Sequence, residues 1–160
     1  MKKTIALLFL LPLSIFMMPG AGPSGNKSAG YKYWSAAELK SMSRTLAHKS
    51  NARTSNQDLA NWGADRALVV HRTGTGSAEL HERDSDLMVI VSGAGTLVIG
   101  GSMPGSKTTA PGEVRGPSIT GGDRQKIGPG DILHIPPKTP HQVVLEPGSQ
   151  ITYFTLKVKE

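Results

Sequence analysis

From residue 67 onward the sequence alternates short runs of β-prone residues with turns rich in glycine and proline. Runs of this length and regular spacing are typical of an antiparallel sandwich or barrel. The predicted strands are Leu68–Arg72, Ala78–His81, Leu87–Ser92, Thr96–Gly100, Asp131–Ile135, Gln142–Leu145 and Ile151–Val158. Because no convincing internal repeat is present, these runs predict a single β-barrel domain over residues 67–160.

The connections between the predicted strands differ in length and character. Leu87–Val91 is apolar on both faces, which predicts a central strand with both faces covered. Ser92–Gly95 reads Ser-Gly-Ala-Gly and predicts a tight hairpin into the next strand. Gly100–Gly122 is long and rich in glycine, proline, serine and threonine, so it is expected to cross the barrel mouth as a loop.

The first 22 residues have the layout of a secretory signal peptide. Lys2 and Lys3 precede an apolar stretch, Ile5–Met18, which is followed by small residues. The stretch contains Pro12 and is shorter than the roughly 20 residues that a membrane-spanning helix needs. The sequence therefore predicts export to the periplasm or the outside of the cell, with membrane contact only through this segment. An uncleaved membrane anchor is the alternative.

Residues 23–66 are predicted to form a flexible lead-in and a helical segment. Ser24–Gly30 is small and polar throughout, as flexible linkers are. Ser35 and Glu38 have the spacing of a capping box, and apolar residues follow at helical intervals. We therefore expect a helix from Ala36 to about His48, followed by a polar loop from Lys49 to Asp58.

Composition excludes several classes of function. The chain has no cysteine, so disulfides, thiolate metal sites and cysteine nucleophiles are ruled out. The formal charge of +6 falls to +4 once Lys2 and Lys3 are removed with the signal segment. Because no basic run is interleaved with aromatic residues, nucleic-acid binding is not expected.

Four residues of the β region could hold a divalent metal. Glu79 and His81 are two positions apart on a predicted strand and so share a face. Asp86 follows a short turn, and His141 comes from a distant strand behind a proline-rich turn. Two imidazoles and two carboxylates suit a divalent cation without any thiolate. The alternative is that Glu79 and His81 face solvent on an edge strand.

Two segments resemble the motifs of the cupin superfamily, and the resemblance covers about residues 68–158. Glu79-Leu-His81, then Asp86 and Gly93, follow the spacing of the first motif, which reads Gly-x5-His-x-His-x3,4-Glu-x6-Gly. The more specific stretch GPGDILHIPPKTPHQV follows the second motif, Gly-x5-Pro-x-Gly-x2-His-x3-Asn, with its histidine at His141. The resemblance implies a jelly-roll barrel with a metal bound by Glu79, His81, Asp86 and His141.

The sequence departs from these motifs at several positions. Glu79 replaces the first histidine and Asp86 replaces the glutamate. Lys138 replaces a glycine and Leu145 replaces the asparagine. Two carboxylates favour Mn, Fe(II) or Zn without deciding between them, and the lower charge makes a weaker Lewis acid.

Three functional readings follow from the resemblance. The first is a metal-dependent oxygenase, lyase or isomerase acting on a small organic substrate. Glu79 could then be a general base beside a metal held by His81, Asp86 and His141. The second is a non-catalytic exported protein that binds a small molecule, a sugar or a metal. The third is a structural role through a homodimer formed by the N-terminal helix or the final strand.

Three further polar residues remain ambiguous in the sequence. His71 could face the same cavity as Glu79, although a satisfied or exposed strand histidine is the preferred interpretation. Glu113 and Arg115 could reach the barrel mouth and contact an anionic substrate, although an ion pair within the loop is preferred.

Overall fold

The computed structural model describes residues 30–49 and 53–160. The chain separates into two units, residues 1–33 and residues 34–160. The predicted signal peptide and nearly all of the predicted lead-in before Gly30 lie outside the described residues. In the described part, no helix is long and apolar enough to cross a membrane.

The second unit contains one described helix, α1 (Ala36–Lys49), followed by eleven strands. The strands are β1 (Thr54–Trp62), β2 (Asp65–Arg72), β3 (Ala78–His81), β4 (Asp84–Gly93), β5 (Gly95–Ile99), β6 (Lys107–Ala110), β7 (Glu113–Gly116), β8 (Asp123–Ile127), β9 (Ile132–Ile135), β10 (His141–Val144) and β11 (Ile151–Lys159).

The strands form two antiparallel sheets that enclose one core. The first sheet has the order β1-β2-β11-β4-β9, and the second has the order β6-β7-β3-β10-β5-β8. Apolar side chains from both sheets pack together, including Leu68, Ile90 and Tyr153 from the first and Leu97 and Val143 from the second. The predicted mainly-β barrel behind an N-terminal helix is confirmed.

Helix α1 begins at the predicted capping box. The Glu38 backbone N–H donates to Ser35 Oγ at 3.2 Å, and the Ser35 N–H donates to the Glu38 carboxylate at 2.7 Å. Both bonds satisfy donors that a helix start leaves unpaired. The helix packs on the outer face of the first sheet, where Leu46 is buried and Ser43 Oγ lies 2.8 Å from Thr152 Oγ1.

Strand β4 is central, as its two apolar faces predicted, because it pairs with β11 on one side and β9 on the other. The predicted hairpin at Ser92–Gly95 is wrong. The chain leaves the first sheet at Gly93 and enters the second at Gly95, where β5 pairs with β10 and β8. A Cβ on Gly93 would meet the Gln150 carbonyl oxygen at 2.0 Å, so this crossing needs glycine.

Two predicted loops contain strands. The predicted loop Lys49–Asp58 is wrong from Thr54 onward, because β1 pairs along the whole of β2 and starts the sheet before residue 67. The predicted loop Gly100–Gly122 contains β6 and β7, and β7 pairs with β3. Both segments are polar, so their composition does not indicate strands. They form strands because they pair with neighbouring strands.

The final strand has no free edge for a dimer contact. β11 lies between β2 and β4 in the first sheet, so its backbone groups are already paired on both sides. Strand exchange through Ile151–Val158, one of the two contacts considered from the sequence, would require opening this sheet. A homodimer through another surface stays a prediction.

Lys138 adopts a backbone conformation that favours glycine, with a φ of 61°. Its backbone N–H donates to the His81 carbonyl at 2.6 Å, so the turn is tied to the strand that carries His81. A left-handed conformation costs a non-glycine residue roughly 1–2 kcal/mol.

Lys138→Gly is therefore expected to raise the free energy of unfolding by about 0.5–1 kcal/mol, after the entropic cost of glycine is subtracted. Urea denaturation measures the change. Lys126→Gly, in the exposed part of β8, is the matched control and should lower stability. A loss of stability in Lys138→Gly as large as in the control would contradict this explanation.

Candidate metal centre and ligand cavity

Strand register places the predicted site residues opposite one another. His141 of β10 lies opposite Glu79 of β3, and Glu79 lies opposite Arg115 on its other side. Across the barrel, Asp86 of β4 lies opposite Lys157 of β11. Directly opposed side chains on one face of an antiparallel pair are close enough to interact. The register therefore brings oppositely charged groups together inside the barrel.

Glu79, His81 and His141 converge on one point, and Asp86, the fourth residue predicted to bind metal, contacts both imidazoles. Asp86 Oδ2 lies 3.3 Å from His81 Nε2 and 3.5 Å from His141 Nε2. Glu79 Oε2 lies 3.7 Å from His81 Nε2 and 3.8 Å from His141 Nε2. Glu79, His81 and His141 each offer one ligand atom within 4.8 Å of the others. Glu79 and His81 therefore face the barrel interior. The alternative, that both residues face solvent on an edge strand, is wrong.

Both imidazoles are held so that Nε2 faces this point. His81 Nδ1 lies 2.8 Å from Glu113 Oε1, and His141 Nδ1 lies 3.0 Å from the Thr139 carbonyl oxygen. Carboxylate and carbonyl oxygens accept, so the ring proton of each neutral histidine belongs on Nδ1. Histidines that bind metals through Nε2 are oriented by such outer hydrogen bonds.

Glu79 is held by two arginines. Arg72 Nη2 donates to Glu79 Oε1 at 3.1 Å, and Arg115 Nη1 contacts the same oxygen. Burial would raise the pKa of Glu79, but Arg115, His141 and Arg72 outweigh burial and hold it below its usual range. A carboxylate of lowered basicity suits metal ligation better than proton abstraction. The role of Glu79 stays a prediction.

Lys157 reaches the same point from β11. Its Nζ donates to Asp86 Oδ1 at 2.6 Å and lies 2.8 Å from His81 Nε2. The side chains of Lys157 and Asp86 are 11% and 6% exposed. Burial would raise the pKa of Asp86, but His141, His81 and Lys157 hold it well below its usual range. Asp86 is therefore a carboxylate in the folded protein at neutral pH.

The site opens into a cavity of about 310 Å³ between the two sheets. Leu68, Val70, Met88 and Val143 form its apolar lining. Its charged lining consists of Arg66, Arg72, Arg115, Lys157, Glu79 and Asp86. The size is in the range of small-molecule sites, and the mostly polar and charged lining suits a polar or charged ligand.

The donor set fits a divalent metal. Glu79, His81 and His141 offer a carboxylate oxygen and two correctly oriented imidazole nitrogens, and Asp86 offers a second carboxylate within reach. Nitrogen and oxygen donors of this kind suit Mn, Fe(II) or Zn. Lys157 competes for two of these groups, Asp86 and His81.

Sequence reasoning missed Lys157 and Arg72 as parts of the site. Lys157 shares its strand face with Ile151, Tyr153 and Thr155, all of which are buried. A lysine at an inward position of an apolar strand is the signal that could have found it. Arg72 shares its strand face with the inward residues Leu68 and Val70, which is the same kind of signal. Its Nε donates to the Tyr153 hydroxyl at 2.8 Å.

The structure shows which of the three ambiguous residues, His71, Glu113 and Arg115, contact the site. His71 faces away from the cavity, beneath α1, where Nδ1 lies 2.8 Å from Thr152 Oγ1. Glu113 and Arg115 form the preferred ion pair at 3.0 Å, but on β7 rather than in a loop. Both also contact the site, Glu113 through His81 and Arg115 through Glu79.

Solved structures share this fold at low sequence identity. A double-stranded β-helix protein from Klebsiella pneumoniae is 14% identical, with a TM-score of 0.54, covering 81% of this chain and 90% of that one. A cupin-2 domain protein from Rhodospirillum rubrum is 14% identical, with a TM-score of 0.50, covering 68% of this chain and 61% of that one. The chain therefore has the cupin fold, as the two motifs predicted.

Other comparisons add little about this chain's activity. DMSP lyase DddQ from Ruegeria pomeroyi is 16% identical, with a TM-score of 0.48 over 68% of this chain and 48% of that one. This chain thus spans about half the length of that enzyme. No family model matches the sequence, and no curated protein matches it either.

Proposed function

We propose that the chain is an exported cupin enzyme that uses a divalent metal to act on a small organic anion. The observation that carries this proposal is the convergence of Glu79, His81 and His141, whose ligand atoms lie within 4.8 Å of one another. These three residues would hold the metal. Export rests on the sequence pattern of residues 1–22 alone.

The charge of the cavity supports an anionic substrate. Four cationic side chains line the cavity against two carboxylates. Arg72 and Arg115 are engaged by Glu79, and Lys157 is engaged by Asp86. Within residues 30–49 and 53–160 the guanidinium of Arg66 has no hydrogen bond or ion pair, and it lies opposite Lys157 in the sheet. A carboxylate would find an unpaired fork of donors there.

The chain's own residues would bind and orient such a substrate. The carboxylate would pair with Arg66 at the cavity mouth, and the carbon chain would lie along Leu68 and Val70. A bound metal supplies a Lewis acid that polarises a substrate oxygen. Arg115 and Arg72 make Glu79 a weakly basic carboxylate, which would suit it to hold the metal rather than to take a proton from the substrate.

Turnover is tested by NMR with the chain loaded in turn with Mn(II), Zn(II) or Fe(II) in air. The substrates are a panel of small carboxylic, hydroxy and sugar acids. We expect product signals from at least one acid that require the metal and disappear in His141→Ala. Binding of an acid without product under any loading would overturn the enzyme proposal.

Arg66→Gln is expected to weaken binding of that acid by up to about fivefold, since an ion pair at an exposed arginine contributes roughly 0.2–1 kcal/mol. Isothermal titration calorimetry measures the dissociation constant. The control is Arg124→Gln, an exposed arginine on β8 that does not line the cavity, and it should bind like the wild type. If the wild type bound the neutral amide of the same acid as tightly as the acid itself, this would argue against an anion site.

A non-catalytic exported binding protein is the second candidate. The observation that favours it is Lys157, because its ammonium already supplies a cation to Asp86 and His81. In that case the same cavity would hold a small anion without a metal and without turnover.

A further inference from the structure

Lys157 occupies the direction from which a metal would approach His81. His81 Nδ1 faces Glu113, so the Nε2 lone pair is the one available to an incoming cation. Lys157 Nζ lies 2.8 Å from that nitrogen and 2.6 Å from Asp86 Oδ1. An imidazole lone pair accepts one donor or binds one metal. The ammonium and a metal therefore need the same electron pair.

The space beside His81 Nε2 also holds only one of the two cations, the ammonium or the metal. A metal bound there lies about 2.0–2.1 Å from the nitrogen. That position falls inside the volume that Nζ holds at 2.8 Å. Two cations in so small a volume of a buried site repel strongly. Lys157 therefore has to swing away from His81 before Glu79, His81 and His141 can bind a metal together.

The cavity offers Lys157 a second position. Lys157 and Arg66, directly opposite it on β2, both line the cavity, and because Arg66 is exposed, solvent screens the repulsion between the two cations. The flexible four-carbon stem of lysine allows its ammonium to turn toward the cavity, away from His81 and Asp86.

We propose that Lys157 is a tethered cation that competes with the metal for His81 and Asp86 and so sets the metal affinity. This inference deepens the proposed function, because it concerns the same centre. It predicts that the wild-type site binds metal more weakly than its donor atoms allow. Lys157 acts on the metal through its ligands and is a positioning residue.

The test is a titration of the metal-free full chain with Mn(II), followed by electron paramagnetic resonance of the free ion. Lys157→Met removes the ammonium at similar length, and Lys157→Gln keeps a polar group if the methionine variant fails to fold. Lys159→Met is the matched control, since Lys159 is on the same strand and exposed. We expect both Lys157 variants to bind Mn(II) at least about tenfold more tightly than the wild type, or about 1.4 kcal/mol. Lys159→Met should match the wild type.

The outcomes separate this inference from the proposed function. Tighter binding in the Lys157 variants supports the inference, even where the wild type shows no turnover with any metal, a result that would overturn the enzyme proposal. Equal affinity in the wild type and both variants overturns the inference and leaves the function standing. Weaker binding in both variants overturns it as well, because Lys157 would then support the metal. Absence of Mn(II) binding in every chain overturns the inference, and turnover with Zn(II) or Fe(II) then decides the function separately.

Discussion

Asp86→Ala is expected to lower the free energy of unfolding by about 3 kcal/mol, the cost of leaving one buried charge without its partner. The substitution removes the oxygen that Lys157 Nζ contacts at 2.6 Å, in a pair that is almost fully shielded from water. Lys157 would then lie against His81 with no opposing carboxylate at that position. Urea denaturation in the presence of a chelator measures the effect without a contribution from bound metal.

The double variant Asp86→Ala/Lys157→Met should recover most of this loss, because it removes both charges together. Asp123→Ala is the control, since Asp123 is exposed on β8, and it should change stability by no more than about 0.5 kcal/mol. A double variant as unstable as Asp86→Ala alone would show that the buried charge pair is not the source of the loss.

His81→Ala and His141→Ala are each expected to reduce metal affinity by at least about 10–100-fold, the range seen when even an outer-shell partner is removed. Each variant deletes one of two nitrogens that point at the same centre. Gel filtration followed by elemental analysis measures the metal retained, and circular dichroism checks that the barrel is folded. His134→Ala is the matched control, because His134 is exposed on β9.

Full metal occupancy in either folded variant would show that the centre is elsewhere. Loss of metal in His134→Ala would show that the assay detects weak surface binding instead. The two site variants are expected to behave alike because both imidazoles lie within 4 Å of both carboxylates.

Strand patterns were most informative where the strand is buried. Ala78–His81 was predicted with the bounds that the structure shows, and Leu87–Val91 was predicted as central. Strand β1 was missed because Thr54–Trp62 lies at a sheet edge and has little apolar alternation. This polar edge strand owes its order to pairing with β2, the strand that follows it after the turn at Gly63 and Ala64.

The sequence groups the four candidate ligands but not the cations that pair with them. The motif spacing predicts that Glu79, His81, Asp86 and His141 belong to one site. The structure brings the side chains of these four residues close together. Lys157 was not recognised, because its partner Asp86 is set by the pairing of β11 with β4. Similarly, the Ser92–Gly95 turn gives no sign of which sheet the next strand joins.

Anomalous diffraction from crystals grown with Mn(II) tests the central claim, that the barrel holds a divalent metal, most directly. Data collected near the manganese absorption edge would locate the ion without reference to activity. We predict one strong anomalous peak bounded by the ligand atoms of Glu79, His81 and His141, with Lys157 turned away from His81. An empty centre with Lys157 still against His81 and Asp86 would contradict the claim, as would a peak found only on the outer surface.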